Sequence, residues 1–346
     1  MRALKRVLGT TLMHEKRQIL NEQVTFVDII ARFLNEIKTR AEAETGLTFD
    51  RALSGRPVLF HGAADPREEQ AEADLRACYL AAGFKCADFM PEPEAAAIAS
   101  GALEHSREIG LIVDIGGGTS DFSLFRSAAA GVEILVNHGV RIGGTDFDRA
   151  ISIDRVMPLL GKGTRLRKLI GPGSLTTPNA IFEDLATWEK IPFLYTAPNR
   201  RAVEDMARLS DEPGKLRRLA AILRDEHGHE LAFAVERGKI DANSGAPQPR
   251  IALDLVEPGL SSPLSADMLT EILSAYARDL RIGAQETLRL AGLEPGRIDR
   301  VIHVGGSSLM SMTSGTMKAL FPDASHSFTE VFTAVADGLA IATGRR

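Results

Sequence analysis

The chain has 346 residues, 44% of them hydrophobic and 25% charged, with Lys+Arg 41 against Asp+Glu 46 for a net charge of -5. This balance is far from disordered or collagen-like sequences, and the length exceeds what one hydrophobic core usually serves, so two lobes with a cleft are expected. No basic run is long enough to follow a phosphate backbone, which argues against nucleic acid as a partner, and no stretch reaches the roughly 18 consecutive apolar residues of a membrane span.

Cys78 and Cys86 are the only cysteines, and their spacing fits neither a redox CxxC pair nor a zinc-ligand set. A reducing cytoplasm suits them best. Arg2, Lys5 and Arg6 are followed by Gly9, His14, Glu15 and Lys16, which interrupt any apolar signal core.

In chain order, Val27, Ile30, Leu34, Ile37 and Ala41 recur at three and four, which predicts a helix within 24–41 ending before Gly46. Residues 57–60 read as a strand. Ala71, Leu75, Tyr79 and Ala82 mark a second helix stopped by Gly83. A strand is expected at 84–90, then a small-residue helix at 94–103 with Pro93 in its opening turn. Residues 111–115 form a buried-strand run, 116–118 a glycine turn, and 121–125 a second strand of a tight hairpin, with a third at 134–137.

From 158 to 229 the character changes to charged, proline-punctuated helices, such as 177–190, where Ile181, Leu185 and Trp188 share a face. This stretch reads as an inserted subdomain. One long helix is predicted over 265–291, with Leu269, Leu273, Tyr276, Leu280 and Leu288 on its stripe and Gly292 at its end. A strand at 300–304, a turn at Gly305 and Gly306, and a helix to Phe321 follow. Two strand-and-glycine-turn units flanking a helical insertion make an α/β architecture.

The densest chemistry lies in Leu-Ile-Val-Asp-Ile-Gly-Gly-Gly-Thr-Ser-Asp-Phe, residues 111–122. A strand ending in Asp114 aims a carboxylate outward, and Gly116, Gly117 and Gly118 expose backbone amides to a phosphate that any Cβ would hold away. Thr119 adds a hydroxyl. Carboxylates beside a polyphosphate suit Mg²⁺, which keeps several waters and takes few protein ligands. Other candidates read as structural: His227 and His229 as surface residues, Cys78 as packed, and Gly161-Lys162-Gly163 as a flexible turn without Walker spacing.

This hairpin resembles the second phosphate motif of the DnaK-type heat-shock-70 family, within the actin and sugar-kinase superfamily. Glu92-Pro93-Glu94-Ala95-Ala96-Ala97 resembles that family's connecting helix. Gly143-Gly144-Thr145-Asp146-Phe147-Asp148 resembles its Gly-Gly-x-Asp-Phe-Asp element, Val304-Gly305-Gly306-Ser307 its adenosine motif, and Val235-Glu236-Arg237-Gly238-Lys239 its helix facing adenine and ribose. Leu4-Lys5-Arg6-Val7-Leu8-Gly9 resembles the segment whose lysine points at the γ-phosphate.

The resemblance implies the actin-like, ribonuclease H-like two-lobed ATPase fold with an incomplete first lobe. Its expected parts are a first-lobe remnant at 1–110, a second-lobe core at 111–152 and 276–346, and an inserted helical subdomain at 153–275. It implies ATP or ADP with Mg²⁺ as ligands, and client or co-chaperone proteins as partners. By carry-over, Asp114 and Asp121 hold the metal's waters, Thr119 touches the γ-phosphate, and Glu92 with Lys5 positions the attacking water. Gly116, Gly117 and Gly118 hold phosphate, Gly143 and Gly144 of the element after the phosphate hairpin join the cofactor-binding set, and Glu236, Lys239, Gly305, Gly306 and Ser307 hold the nucleoside.

Departures accompany the matches. The family's opening Asp-x-Gly-Thr hairpin has no counterpart, its adenine-stacking arginine is Leu309, and a second basic residue is Ile240. These features are similar to short, divergent YegD-type relatives. Nucleotide binding with impaired hydrolysis is the expectation, and loss of even one preorganised donor can cost about 3 kcal/mol of barrier. A small-molecule, sugar-type kinase and a non-catalytic, nucleotide-dependent interaction module are the alternative readings.

Overall fold

The computed structural model describes residues 7–19, 22–61, 65–102, 107–128, 131–168, 171–328 and 333–344. It is a mixed α/β structure. Its largest sheet has the strand order β13 (Ser325–Phe328), β12 (Arg300–Val304), β5 (Ile109–Ile115), β6 (Ser120–Ala128) and β7 (Gly131–Val140). β5 is central, and every residue in it except Asp114 is buried, which is why its sequence is a continuous apolar run. Among the described residues no helix is long and apolar enough to cross a membrane.

Contacts divide the chain into two units, the first Met1–Ile112, Ser123–Asn137 and Ser327–Arg346, the second Val113–Phe122 and His138–His326. In the first, a short hairpin of β1 (Arg17–Ile19) and β2 (Glu22–Val24) precedes α1 (Phe26–Thr45). The Asp28 N–H donates to Thr25 Oγ1 at 3.2 Å and the Thr25 N–H donates to Asp28 Oδ2 at 2.8 Å, a reciprocal capping box. That backbone bond, with the Thr25 hydroxyl, holds the Asp28 carboxyl below its usual range. Gly46 ends the helix in the left-handed region at φ 70°.

Next, β3 (Arg51–Arg56) pairs in parallel with β4 (Cys86–Pro91) across α2 (Arg67–Ala81), a βαβ unit. The strand expected at 57–60 is instead this earlier one. Pro57 cannot donate to a ladder, and the amides of Phe60 and His61 donate to the Glu68 carboxylate rather than to a neighbouring strand. β4 leads directly into α3 (Glu92–Ala99), whose Ala95, Ala96 and Ala97 are buried. Their small side chains let α12 (Ala334–Thr343) approach so closely that a Cβ on Gly338 would overlap the Ala95 carbonyl.

In the second unit, α4 (Gly144–Ile151) continues through a π turn and a 3₁₀ turn to the hairpin of β8 (Arg165–Arg167) and β9 (Ser174–Thr176). Helices α5 (Asn179–Ala186), α6 (Ala197–Leu209), α7 (Pro213–Asp225) and α8 (Gly228–Asn243) follow, with Leu216, Leu219, Ile222 and Leu223 of α7 buried. α5 is shorter than the periodicity predicts: Thr187 turns extended, and Trp188 leaves the helix to lie edge-on against His229 and Phe233.

After the hairpin of β10 (Arg250–Ala252) and β11 (Ser261–Pro263), the single helix expected at 265–291 is two, α9 (Ala266–Ile272) and α10 (Ser274–Ala291). At Leu273 ψ opens to 4°, which tilts one peptide, although the bonds Leu273 N–H to Leu269 O and Ala277 N–H to Leu273 O still span the break. β12 then leads through a tight turn to α11 (Ser311–Leu320).

Gly338→Ala should lower the chemical-denaturation midpoint by an amount equivalent to about 3 kcal/mol, because the added methyl must displace backbone. Gly315→Ala in α11, where an added Cβ meets nothing within 4 Å, should raise it by about 0.5–1 kcal/mol.

Candidate nucleotide site

β5 ends with the half-buried Asp114 and the buried Ile115, after which Gly116, Gly117 and Thr119 are exposed. The Gly116 N–H donates to the Thr119 carbonyl at 2.9 Å and closes the bend into β6. Thr119 Oγ1 donates to Asp121 Oδ2 at 3.4 Å. The other Asp121 oxygen lies over Gly139 of β7, where a Cβ would come within 2.8 Å of Oδ1.

The first amides of α4 hold this bend from behind. Gly144 N–H donates to Gly116 O at 2.9 Å and Thr145 N–H to Gly117 O at 2.7 Å. Thr145 Oγ1 adds a further bond to Gly117 O at 2.7 Å. The orphan donors of a helix start are thus satisfied by the bend's carbonyls. A planar trans peptide points its N–H opposite its C=O, so the amides of Gly117 and Gly118 face away from α4. Among the described residues no acceptor takes either of them.

Close approach makes Gly143 and Gly305 necessary against backbone, and Gly144 packs against a side-chain hydroxyl. A Cβ on Gly143 would lie 2.5 Å from Gly118 N and 2.6 Å from Gly117 C and O. One on Gly144 would overlap Ser307 Oγ. Gly305, at φ 83°, would place its Cβ 2.5 Å from Ile115 O and 2.9 Å from Asp114 Oδ1. The 116–118 bend, the start of α4 and the 305–307 turn therefore form one cluster within the second unit. At Gly117 an added Cβ would meet nothing within 4 Å.

α8 adjoins the same cluster. Lys239 is 5% exposed, and its Nζ lies 2.8 Å from Asp148 Oδ1 on α4. Asn243, at the end of α8, donates through Nδ2 to Leu309 O at 3.3 Å and accepts at Oδ1 from Ser311 N–H at 2.8 Å. Glu236 is partly exposed on that helix, Gly306 is exposed and Ser307 partly so.

Glu92 belongs to the first unit, where it opens α3; a Cβ on Gly55 would lie 3.1 Å from its Cγ. Lys5 lies outside the described residues. Cys78 is buried in that unit, and burial first, then the nearby Asp74 charge, pushes its thiol up to about 12. His229 packs on Trp188 at 4.5 Å between ring centroids.

Several contributors escaped the motif reading. Asp146 Oδ2 accepts from the Gly143 N–H at 2.9 Å, and a signal was present, since an acidic residue three after a helix cap is a capping pattern. Thr145 sat unremarked in the same motif. Asp148 pairing with Lys239, and Asn243 reaching residues 309 and 311, join segments far apart in sequence, so no local pattern marks them.

With this geometry in hand, the comparison with known families is direct: residues 8–158 match the family model described as Hsp70 protein. The matched stretch contains Glu92, the 116–118 bend and the start of α4, and ends before α8 and the Gly305 turn. The likeness over these residues supports an Hsp70-like nucleotide-binding domain.

Immediately before the Gly305 turn, the fully buried His303 of β12 lies 3.1 Å through Nε2 from His326 Nδ1 on β13. His326 Nε2 is 3.2 Å from the Phe321 carbonyl, which can only accept. His326 therefore carries its proton on Nε2, its Nδ1 accepts, and His303 Nε2 donates. Burial first, then His326 and Lys318, lowers His303 from 6.5 to about 4; His326 is lowered too, by burial first. A base with a depressed folded-state pKa leaves the unfolded chain binding more protons, so this stability is complete above about 6.5 and drains as pH falls toward about 4. The thermal midpoint should drop by several degrees between about pH 7 and about pH 5, and His303→Gln, which keeps a donor for His326, should flatten that slope.

Proposed function

We propose that this chain is an Hsp70-type nucleotide-binding module of the actin-like ATPase class, which takes ADP or ATP with Mg²⁺ and serves a chaperone through client or co-chaperone proteins. One observation carries the reading: the Gly117 and Gly118 amides, which meet no acceptor among the described residues, turn away from α4 beside the open space at Gly117, next to a second glycine turn packed on Asp114 and Ile115. Paired backbone amides in a glycine bend favour a phosphate, and a Cβ in that space would exclude it.

In this reading the Gly117 and Gly118 amides bind terminal phosphate oxygens and the Thr119 hydroxyl adds a donor. Asp114 and Asp121, the two carboxylates flanking the bend, suit Mg²⁺ through its waters, since that ion takes few protein ligands. When bound, Mg²⁺ neutralises charge on the phosphates. The Gly305, Gly306 and Ser307 turn receives the nucleoside end, with Glu236 of α8 an acceptor for sugar hydroxyls. Gly143 and Gly144 serve by holding the bend in place. Since Glu92 falls in the first unit and Lys5 outside the described residues, binding is the part of the function that this geometry supports.

Mg²⁺ with ADP should raise the thermal midpoint, because a ligand bound only by the folded state must stabilise it. Gly117→Val should leave the unliganded midpoint within about 1 °C, as its side chain enters open space, yet weaken ADP about a hundredfold, equivalent to about 2.7 kcal/mol. Calorimetric titration reads both. Unchanged ADP affinity in Gly117→Val would remove the phosphate assignment.

A further inference from the structure

We propose that the β8–β9 hairpin of the second unit is a docking edge for an extended acidic segment of a partner protein, which adds antiparallel to β9 and sets alternate carboxylates against Arg165 and Arg167. No residue of the nucleotide site takes part, so this stands apart from the reading above.

Charge singles the hairpin out. The chain has a net charge of -5, yet from Arg155 to Phe182 it holds Arg155, Lys162, Arg165, Arg167 and Lys168 and no Asp or Glu. Arg165, Arg167 and Lys168 are exposed. Ion pairs flank the stretch at Arg155 with Asp154 and at Arg149 with Glu183, but among the described residues none involves Lys162, Arg165, Arg167 or Lys168. The hairpin thus presents uncompensated positive charge on a chain that is acidic as a whole.

The backbone makes one side of the hairpin an open edge. Arg165 lies opposite Thr176, Leu166 opposite Leu175 and Arg167 opposite Ser174. The Thr177 N–H donates to Thr164 O at 3.0 Å and the Lys168 N–H to Gly173 O at 3.3 Å. Backbone groups alternate in direction along an antiparallel strand, so those of Leu175 also face β8, while those of Ser174 and Thr176 face away from it. Among the described residues no backbone group bonds to the outward N–H or C=O of either. The far side of β8 is closed: Asp211 N–H donates to Arg165 O at 3.1 Å, Arg165 N–H donates to Asp211 Oδ1 at 3.2 Å, and Leu166 bridges to Ser210. An edge with unpaired donors and acceptors is a template for one more strand.

Side chains specify that strand. Arg165, Arg167, Ser174 and Thr176 share one face of the hairpin, because successive side chains alternate. Ser174 and Thr176 are short, so the long arginines have room to lean across them toward the open edge. Alternate residues of an extended segment lie about 6.7 Å apart, the same spacing that separates Arg165 from Arg167. Acidic residues opposite Ser174 and Thr176 therefore meet one guanidinium each. The other face carries Leu175 at 60% exposure, which suits an apolar residue between the two acids. A nucleic acid offers no alternating amide donors and acceptors to the edge, and these few cations are too short a track for its phosphates. An acid-apolar-acid protein segment matches the charge, the edge and Leu175 together.

Fluorescence anisotropy of the intact chain with a labelled Gly-Ser-Glu-Val-Glu-Val-Glu-Gly peptide tests this, against the block peptide Gly-Ser-Val-Val-Glu-Glu-Glu-Gly of equal composition. The alternating peptide should bind at least about tenfold tighter than the block peptide, and methylating its glutamate backbone nitrogens should cost at least about tenfold. Arg165→Glu and Arg167→Glu should each weaken it about fivefold or more. Thr176→Pro removes an outward N–H without breaking a bond of the hairpin, so it should weaken the peptide about tenfold while the thermal midpoint stays within about 2 °C. Equal binding of the alternating and block peptides, or of the methylated and unmethylated ones, reduces the face to unspecific charge and overturns the proposal. So does the absence of alternating-peptide binding at about 1 mM. A single-stranded oligonucleotide that binds more tightly than the alternating peptide overturns it in favour of nucleic acid.

Discussion

The site depends on a pair of hydrogen bonds in which the start of α4 donates to the Gly116 and Gly117 carbonyls. A helix start must find acceptors for its first amides, and a glycine bend has no side chains to fix its peptide planes. Each supplies what the other lacks. Once the carbonyls are taken from behind, planarity turns the Gly117 and Gly118 amides forward. The direction of the cradle is thus set by α4, while its composition is set by the bend.

The glycines of this region divide by what surrounds them. Gly143, Gly144 and Gly305 are glycine because backbone, or the Ser307 hydroxyl, occupies the place of a Cβ. Gly117 is surrounded by nothing within 4 Å, so packing gives no reason for the missing side chain. Glycines required by packing and glycines beside open space look identical in a sequence, and coordinates separate them.

Much of the fold was legible because its signals are local. The 3.6-residue period and Gly46 mark α1, and the apolar run before Asp114 belongs to a strand buried on both faces, whereas the Thr25 and Asp28 capping box that starts α1 emerged only with the coordinates. Misplaced elements trace to tertiary terms. At 57–60 the apolar residues lie beside a proline, and the amides of Phe60 and His61 are captured by Glu68. At Leu273 the stripe continues while one peptide tilts, which periodicity cannot register. Within the site, the bend and both glycine turns could be read from motifs, whereas Asp148 meeting Lys239, and Asn243 meeting residues 309 and 311, required the fold.

Those long-range contacts close a ring. The bend is held by α4, α4 holds α8 through Asp148 and Lys239, α8 holds residues 309–311 through Asn243, and Gly305 returns to Asp114 at the bend. Exposed ion pairs contribute little, but Lys239 is almost fully buried, and an unpaired ammonium there would be costly. The pair therefore acts as a constraint on where α8 sits, more than as a source of stability. A ring has a property that a chain of contacts lacks: each link is held from both sides, so its groups are already in place before a ligand arrives. A molecule touching both the bend and the Gly305 turn would bridge two points that the protein has brought together, and would lose little affinity to ordering them.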